Sequence, residues 1–231
     1  MITVGTIRER HSVREYAGGP LDQAEFDALG AVVRECARES GLDIQLVGDN
    51  PEVFNVIARF GLIRGCCTHV AFVVDGAKAG DAAVDEAIGY WGQKIVLAAQ
   101  DMGFNTCWCA LCSHKKSRAV VATGKKIRLI IAVGHGKTQG FSRKTKSVEA
   151  LSSVECAKAP AWFAAAMEAA QLAPTAMNNQ NFKITLLSDG KTVRIDAPKS
   201  GLNVIDEGIV RCNFEIAANE AGADWRWERD I

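Results

Sequence analysis

The feature that most constrains this chain is its similarity to itself. Pro20–Asp49 aligns without a gap on Pro160–Asp189 at an offset of 140 residues, with Ala24 on Ala164, Ile44 on Ile184 and Leu46 on Leu186. Farther along the offset becomes 119: Gly89 meets Gly208, Ala98 and Ala99 meet Ala217 and Ala218, Gly103 meets Gly222, and Trp108 meets Trp227. The first copy therefore carries 21 extra residues between its strand and its second helix. The shared order is an apolar helix, a short strand, an apolar helix and Gly-x-x-x-x-Trp. Such a repeat predicts two related halves, 1–153 and a shorter 154–231, interlocked as one globular unit.

Periodicity fills in each half. Leu21–Glu39 and Ala161–Leu172 place apolar residues at helical spacing, with Pro20 and Pro160 just ahead of them. Ala82–Met102 and Glu207–Ala221 read as long core helices. Asp43–Val47 and Phe182–Leu187 read as strands, and the β-branched runs Val70–Val74 and Ile127–Val133 as buried strands. Strands and helices alternate only in part, which predicts an α+β fold with a mixed central sheet flanked by helices.

Composition excludes several classes. The chain has 231 residues, zero formal net charge and 48% hydrophobic residues. That is enough material for a core, and the charge gives no reason to expect a nucleic-acid partner. No apolar run reaches membrane-spanning length, and no export signal follows Met1, so a cytoplasmic location is expected. On that reading the eight cysteines are reduced thiols. Charge is uneven, however: from Met102 to Val148 there is no Asp or Glu, against ten Lys and Arg. This stretch is either a solvated basic face or an anion site.

Three polar constellations stand out. Arg10-His11-Ser12-Val13-Arg14 follows a short N-terminal helix and sets two guanidiniums around a hydroxyl, a donor set suited to phosphate. Ala173-Pro174-Thr175-Ala176-Met177-Asn178-Asn179-Gln180 lies between a helix and a strand. Its amides carry donors and acceptors together, so they can read a heterocycle edge bearing C=O and N–H. The loop His135–Ser147 follows a buried strand and contains Arg143-Lys144-Thr145-Lys146. Each is also compatible with an ordinary polar loop.

Together these segments resemble the nitroreductase family of FMN-dependent flavoproteins. Arg10 to Arg14 is similar to that family's Arg-x-Ser-x-Arg motif, and Ala173 to Gln180 to its Ala-Pro-Ser-x-x-Asn-x-Gln motif. Gly103-Phe104-Asn105-Thr106-Cys107-Trp108 is similar to its Gly-Leu-x-Thr-x-Trp segment. The resemblance implies FMN held by Arg10, His11, Ser12, Arg14, Arg143, Lys144 and Lys146 around the phosphate and part of the ring. Asn178 and Gln180 would serve the isoalloxazine. The absence of a Gly-x-Gly-x-x-Gly fingerprint agrees with FMN rather than FAD.

The departures are informative. Thr175 replaces Ser, and Asn181-Phe182 stands where Pro-Trp is usual. The Asn motif is missing from the first half, where Glu35-Cys36-Ala37-Arg38 occupies its place. Each site feature thus occurs once, as in a fused pseudo-dimer. The chain therefore resembles the compact tandem-half subgroup, expected to act as a monomer. The resemblance implies hydride transfer from NAD(P)H through flavin to a small acceptor such as a quinone or nitro compound, with no catalytic protein residue required. A non-catalytic flavin- or nucleotide-binding protein on the same fold is the alternative. Cys107-x-Cys109-x-x-Cys112-x-His114 offers zinc-type ligands but lacks paired Cys-x-x-Cys spacing, so no metal is expected. Gly136-Lys137-Thr138 lacks the earlier glycine of a phosphate loop, because Ile131 holds that place.

Overall fold

A computed structural model of the protein describes residues 2–54, 63–155 and 158–228. Two compact units emerge, each discontinuous in sequence: Glu9–Val84 with Lys94–Ser142, and Ile2–Arg8 with Asp85–Gln93 and the chain from Arg143 onward. The elements are α+β, as the periodicity predicts. In place of one mixed central sheet, however, the described strands form two separate sheets.

The first unit is built on β1 (Asp43–Val47), β2 (Thr68–Asp75), β3 (Asn105–Cys109) and β4 (Lys125–Gly134), ordered β1-β2-β4-β3 with every neighbour antiparallel. Both faces of β2 are covered, since every residue from Thr68 to Val74 is buried. Its β-branched run could therefore be read as a strand, but periodicity could not orient it. Phe72 stacks on Trp108 across one face. Val13, Tyr16, Val53, Ala71, Cys107 and Ile130 belong to an apolar cluster on the other. The short strand β3 has no expectation behind it beyond its place in the Gly-x-x-Thr-x-Trp segment.

α2 (Gln23–Ser40) starts two residues later than periodicity places it. Asp22 accepts from the Glu25 amide and Glu25 reaches back to the Asp22 amide, a capping box that outweighs Pro20 as the start signal. Gly41, left-handed at φ 70°, ends the helix.

The second unit contains α1 (Val4–Glu9, through Arg8), α4 (Val148–Leu151), α5 (Ala161–Gln171) and α6 (Asn203–Glu220). A three-stranded sheet is ordered β5 (Lys183–Leu186), β6 (Thr192–Asp196), β7 (Arg226–Trp227). β5 and β6 are antiparallel, while β6 and β7 are parallel. β6 escapes the apolar-run reading, yet Val193 and Ile195 are buried while Arg194 and Asp196 are exposed, the alternation of a half-buried strand. α5 packs on α6, and Phe163, Phe214, Trp225 and Trp227 form an aromatic cluster beside them. α6 begins four residues before the expected Glu207.

α3 (Ala82–Asp101) is capped by Asp81, whose carboxylate accepts from Ala83 and Val84. Its residues Asp85–Gln93 belong to the second unit. There a Cβ on Gly89 would fall 2.0 Å from the Ile205 carbonyl, so the helix backbones touch with nothing between them. Buried Gln93 donates to Asn213, which donates to the Ala169 carbonyl, so both amide donors are satisfied inside the core while Gln93 Oε1 has no partner among the described residues. Among the described residues, no helix is long and apolar enough to cross a membrane.

The cysteines depart from expectation. Cys109 and Cys112 are joined as a disulfide, because the turn through Ala110 and Leu111 at the end of β3 brings their Cα atoms to 5.8 Å. Cys36, Cys66, Cys67, Cys107 and Cys212 remain thiols, and Cys156 lies outside the described residues. The zinc reading loses two of its four ligands to that bond. Among the described residues, no cluster of three or more His, Cys, Asp or Glu is arranged to hold a metal.

Candidate functional site

In the first unit, the chain from Arg10 to Ala17 is laid along the sheet by backbone hydrogen bonds. The Val13 amide donates to Thr106, Tyr16 to Arg64, and Ala17 to His135, while Lys137 donates back to Glu15. Ser12 bridges Thr106 in parallel. Buried Val13 and Tyr16 are the apolar anchors that hold this polar run in place. Burial pushes the Tyr16 phenol well above its ordinary range, with the nearby Cys66 and Cys107 thiols adding to the shift, so it stays neutral. Arg10 is 6% exposed, Ser12 and His11 are half-buried and Arg14 is exposed. Arg10 is thus a buried guanidinium, although it lies in a loop.

The loop after β4 is pinned by one side chain. Asn105 accepts from the Gly136 amide and donates to Gln139. A Cβ on Gly140 would fall 2.6 Å from His11 Cβ, so the loop backbone rests directly on His11. Asn105 falls at an unspecified position of the sequence motif, which is why reading by motif gives it no role.

In the second unit, the predicted residues Lys144, Lys146, Asn178 and Gln180 are brought together by hydrogen bonds. Asn178 donates its Nδ2 to the Lys144 carbonyl at 2.8 Å. Gln180, 2% exposed, accepts from the Lys146 amide at 2.7 Å and donates to the Gln171 carbonyl at the end of α5. Lys146 Nζ in turn donates to the Gln180 carbonyl at 2.9 Å. Gln180 and Lys146 therefore clasp each other. Asn178 keeps its Oδ1 outside any hydrogen bond among the described residues. Arg143 and Lys144 are exposed.

The Asn turn is held in an unusual backbone. Met177, Asn178 and Gln180 have φ values of 54°, 57° and 47°, the left-handed region that Asn tolerates and Met and Gln avoid. Two contacts impose it: Thr175 Oγ1 accepts from the Gln180 amide, and both carboxylate oxygens of Asp206 accept from the Ala176 amide at 3.0 Å. Burial lifts the Asp206 carboxyl to about 7, and the Ala176 hydrogen bond offsets only part of that. Sequence reading misses Asp206 because the expected helix begins one residue after it. Left-handed non-glycine residues gathered in one turn are strained backbone of the kind that clusters at functional sites.

A sequence-family model described as "Putative TM nitroreductase" matches residues 3–218. The chain belongs to this nitroreductase family. Solved structures agree on the fold. A "putative nitroreductase" of Thermotoga maritima MSB8 superposes with a TM-score of 0.68 at 20% identity, covering 96% of this chain and 85% of that one. A "putative nitroreductase" in complex with FMN from Desulfovibrio desulfuricans gives 0.51 at 18% identity, covering 66% and 95%. The nitroreductase family protein of Streptococcus pneumoniae TIGR4 gives 0.51 at 13%, covering 66% and 98%. No protein of curated function matches the sequence. Gln180 and Lys146, two of the nine residues that the nitroreductase motifs imply, are hydrogen-bonded to each other.

Proposed function

We propose that this nitroreductase-family chain is an FMN-dependent oxidoreductase that takes reducing equivalents from NAD(P)H and passes them to a small acceptor such as a quinone or nitro compound. The observation that carries the reading is the left-handed Asn turn, which presents an open Asn178 Oδ1 while fixing its Nδ2 on the Lys144 carbonyl. An amide oriented in this way offers an acceptor to a ring N–H.

The donor set fits FMN. In the first unit, buried Arg10 with Ser12 and Arg14 matches the charge and hydrogen-bonding of a phosphate; Arg143 and Lys144 in the second are the cationic donors that the family resemblance adds. His11 braces the Gly140 loop, and Gln180 and Lys146 hold the Asn turn. When bound, FMN supplies the two-electron chemistry, and the protein supplies orientation and charge. The Desulfovibrio structure with FMN supports the choice of cofactor. Because Arg10 and Asn178 each occur in one motif copy only, one chain binds one FMN and acts as a monomer, in the cytoplasm.

A titration with FMN, followed by visible absorbance, tests this. Saturation at one FMN per chain, with NADPH or NADH oxidised in the presence of a quinone, is the expected result. Arg10→Ala and Lys144→Ala should each weaken FMN by about 1–3 kcal/mol, the scale of charge-assisted hydrogen bonds. Absence of flavin binding would end the proposal. Binding without NAD(P)H oxidation would mark a flavin-binding protein in place of an enzyme.

A further inference from the structure

The Cys109–Cys112 disulfide plays no part in the proposed flavin chemistry. Disulfides stabilise largely by restricting the unfolded chain, and the effect grows with the loop enclosed. A bond between residues three apart encloses a minimal loop and restricts little. Nor is the chain stapled elsewhere among the described residues, where five cysteines remain thiols. The bond therefore makes a poor structural brace.

Its surroundings suit exchange. Leu111, between the two cysteines, is 66% exposed, Ala110 is exposed, and both cysteines are only half-buried. The pair thus sits at the edge of the apolar cluster, next to an exposed turn. Lys115, Lys116 and Arg118 follow within six residues, Arg118 being paired with Glu52 at 3.8 Å. Cationic neighbours favour thiolate over thiol, and a better thiolate leaves faster from a disulfide. The other nearby thiols behave differently. Cys66 and Cys107 are buried in the apolar cluster that Cys109 and Cys112 pack against, and burial pushes Cys66 up to about 12. Cys66 stays protonated and inert.

We propose that Cys109–Cys112 is a thiol–disulfide exchange site that accepts two electrons from a dithiol. One thiolate of the dithiol attacks a sulfur of the pair, forming a mixed disulfide and breaking the Cys109–Cys112 bond, and the other cysteine leaves as a thiolate. The second thiol of the reductant, on losing its proton, attacks the mixed disulfide and releases the remaining cysteine. The dithiol ends as a disulfide, and the two cysteines, having taken up its two protons, end as thiols. The site needs no flavin, so it stands or falls separately from the function proposed above.

The test equilibrates the folded full-length protein with reduced and oxidised dithiothreitol in varied ratio. Acid quenching, alkylation and peptide mass spectrometry then read each cysteine. Cys109 and Cys112 should become labelled together as the ratio rises and lose label when it is reversed, while the label on Cys66, a thiol throughout, does not follow the ratio. The melting temperature of the reduced protein should match that of the oxidised one. In a Cys112→Ser variant, Cys109 should form a one-to-one adduct with 5,5′-dithiobis(2-nitrobenzoate) under native conditions, ahead of Cys66 and Cys107. Should that variant not fold, the wild-type labelling decides alone. The proposal is overturned if both cysteines are labelled before any reductant is added, or if the bond opens only in denaturant. A large fall in melting temperature on reduction would equally overturn it, marking the bond as a brace.

Discussion

Gly89 and Gly208 occupy reciprocal positions where α3 meets α6. A Cβ on Gly89 would lie 2.0 Å from the Ile205 carbonyl oxygen, and a Cβ on Gly208 would lie 2.0 Å from the Glu86 carbonyl oxygen. The same offset of 119 residues separates Gly89 from Gly208 and Glu86 from Ile205. Each glycine thus faces the residue three before the other glycine. The identity is explained by packing, because neither helix backbone leaves room for a side chain.

Gly89→Ala and Gly208→Ala should each destabilise the protein by about 1–3 kcal/mol, the range for overpacking a close contact. Alanine is otherwise the better helix former by about 1 kcal/mol. Gly30→Ala in α2 is the control, since its Cβ would meet mainly the flexible end of Arg34 and should be neutral or stabilising. Thermal unfolding of the three variants decides. Equal stability in all of them would remove the backbone contact as the reason for the glycines.

Gln180→Ala should cost about 1–3 kcal/mol, because it strips the half-buried Lys146 amide and Gln171 carbonyl of a partner. Lys146→Ala should cost less, since the lost ammonium is exposed and its backbone amide keeps Gln180 Oε1. Urea unfolding of both variants checks the order. A costlier Lys146→Ala would place the anchor of the Asn turn elsewhere.

Asp206 gives the protein a pH dependence with a definite sign. An unfolded aspartate loses its proton near pH 3.9, whereas folded Asp206 holds it to about 7 because burial disfavours the anion. The folded state therefore binds the extra proton between those values. Its contribution to stability is present at low pH and is lost as pH rises through about 7. Asp206→Asn has no such dependence. Melting curves of the variant should gain on wild type between pH 5 and pH 8, and parallel curves would contradict the assignment.

His69 works in the opposite direction. It is fully buried with Nε2 on Ser117 Oγ at 2.8 Å, and burial, aided by nearby His114, holds its imidazole down at about 4. The unfolded imidazole protonates near 6.5, so acidification from there towards 4 favours the unfolded chain. In NMR, the His69 ring protons should not shift between pH 8 and pH 5.5. A midpoint near 6.5 would show that the ring is open to water.

By itself the sequence determined most of the helices, four of the strands and the family. Asp43–Val47 is a strand by its alternation, α3 and α5 are helices by their spacing, and the Arg10 and Asn178 motifs carry the nitroreductase resemblance that the family match bears out. Local periodicity reports which residues are buried, and a motif reports which side chains a ligand requires. Neither records which distant backbone will lie alongside. The two separate sheets, the start of α6 ahead of Asp206 and the disulfide at the end of β3 depend on such pairings. So does the role of Gln180: as a letter in a motif it is an amide free to meet a ligand. Folded, it is a buried clasp, because the Lys146 amide and the Gln171 carbonyl arrive from other parts of the chain to occupy both ends of its side chain. Tertiary structure alone decided that, since an amide bonds whatever partner the packed chain brings within 3 Å or so.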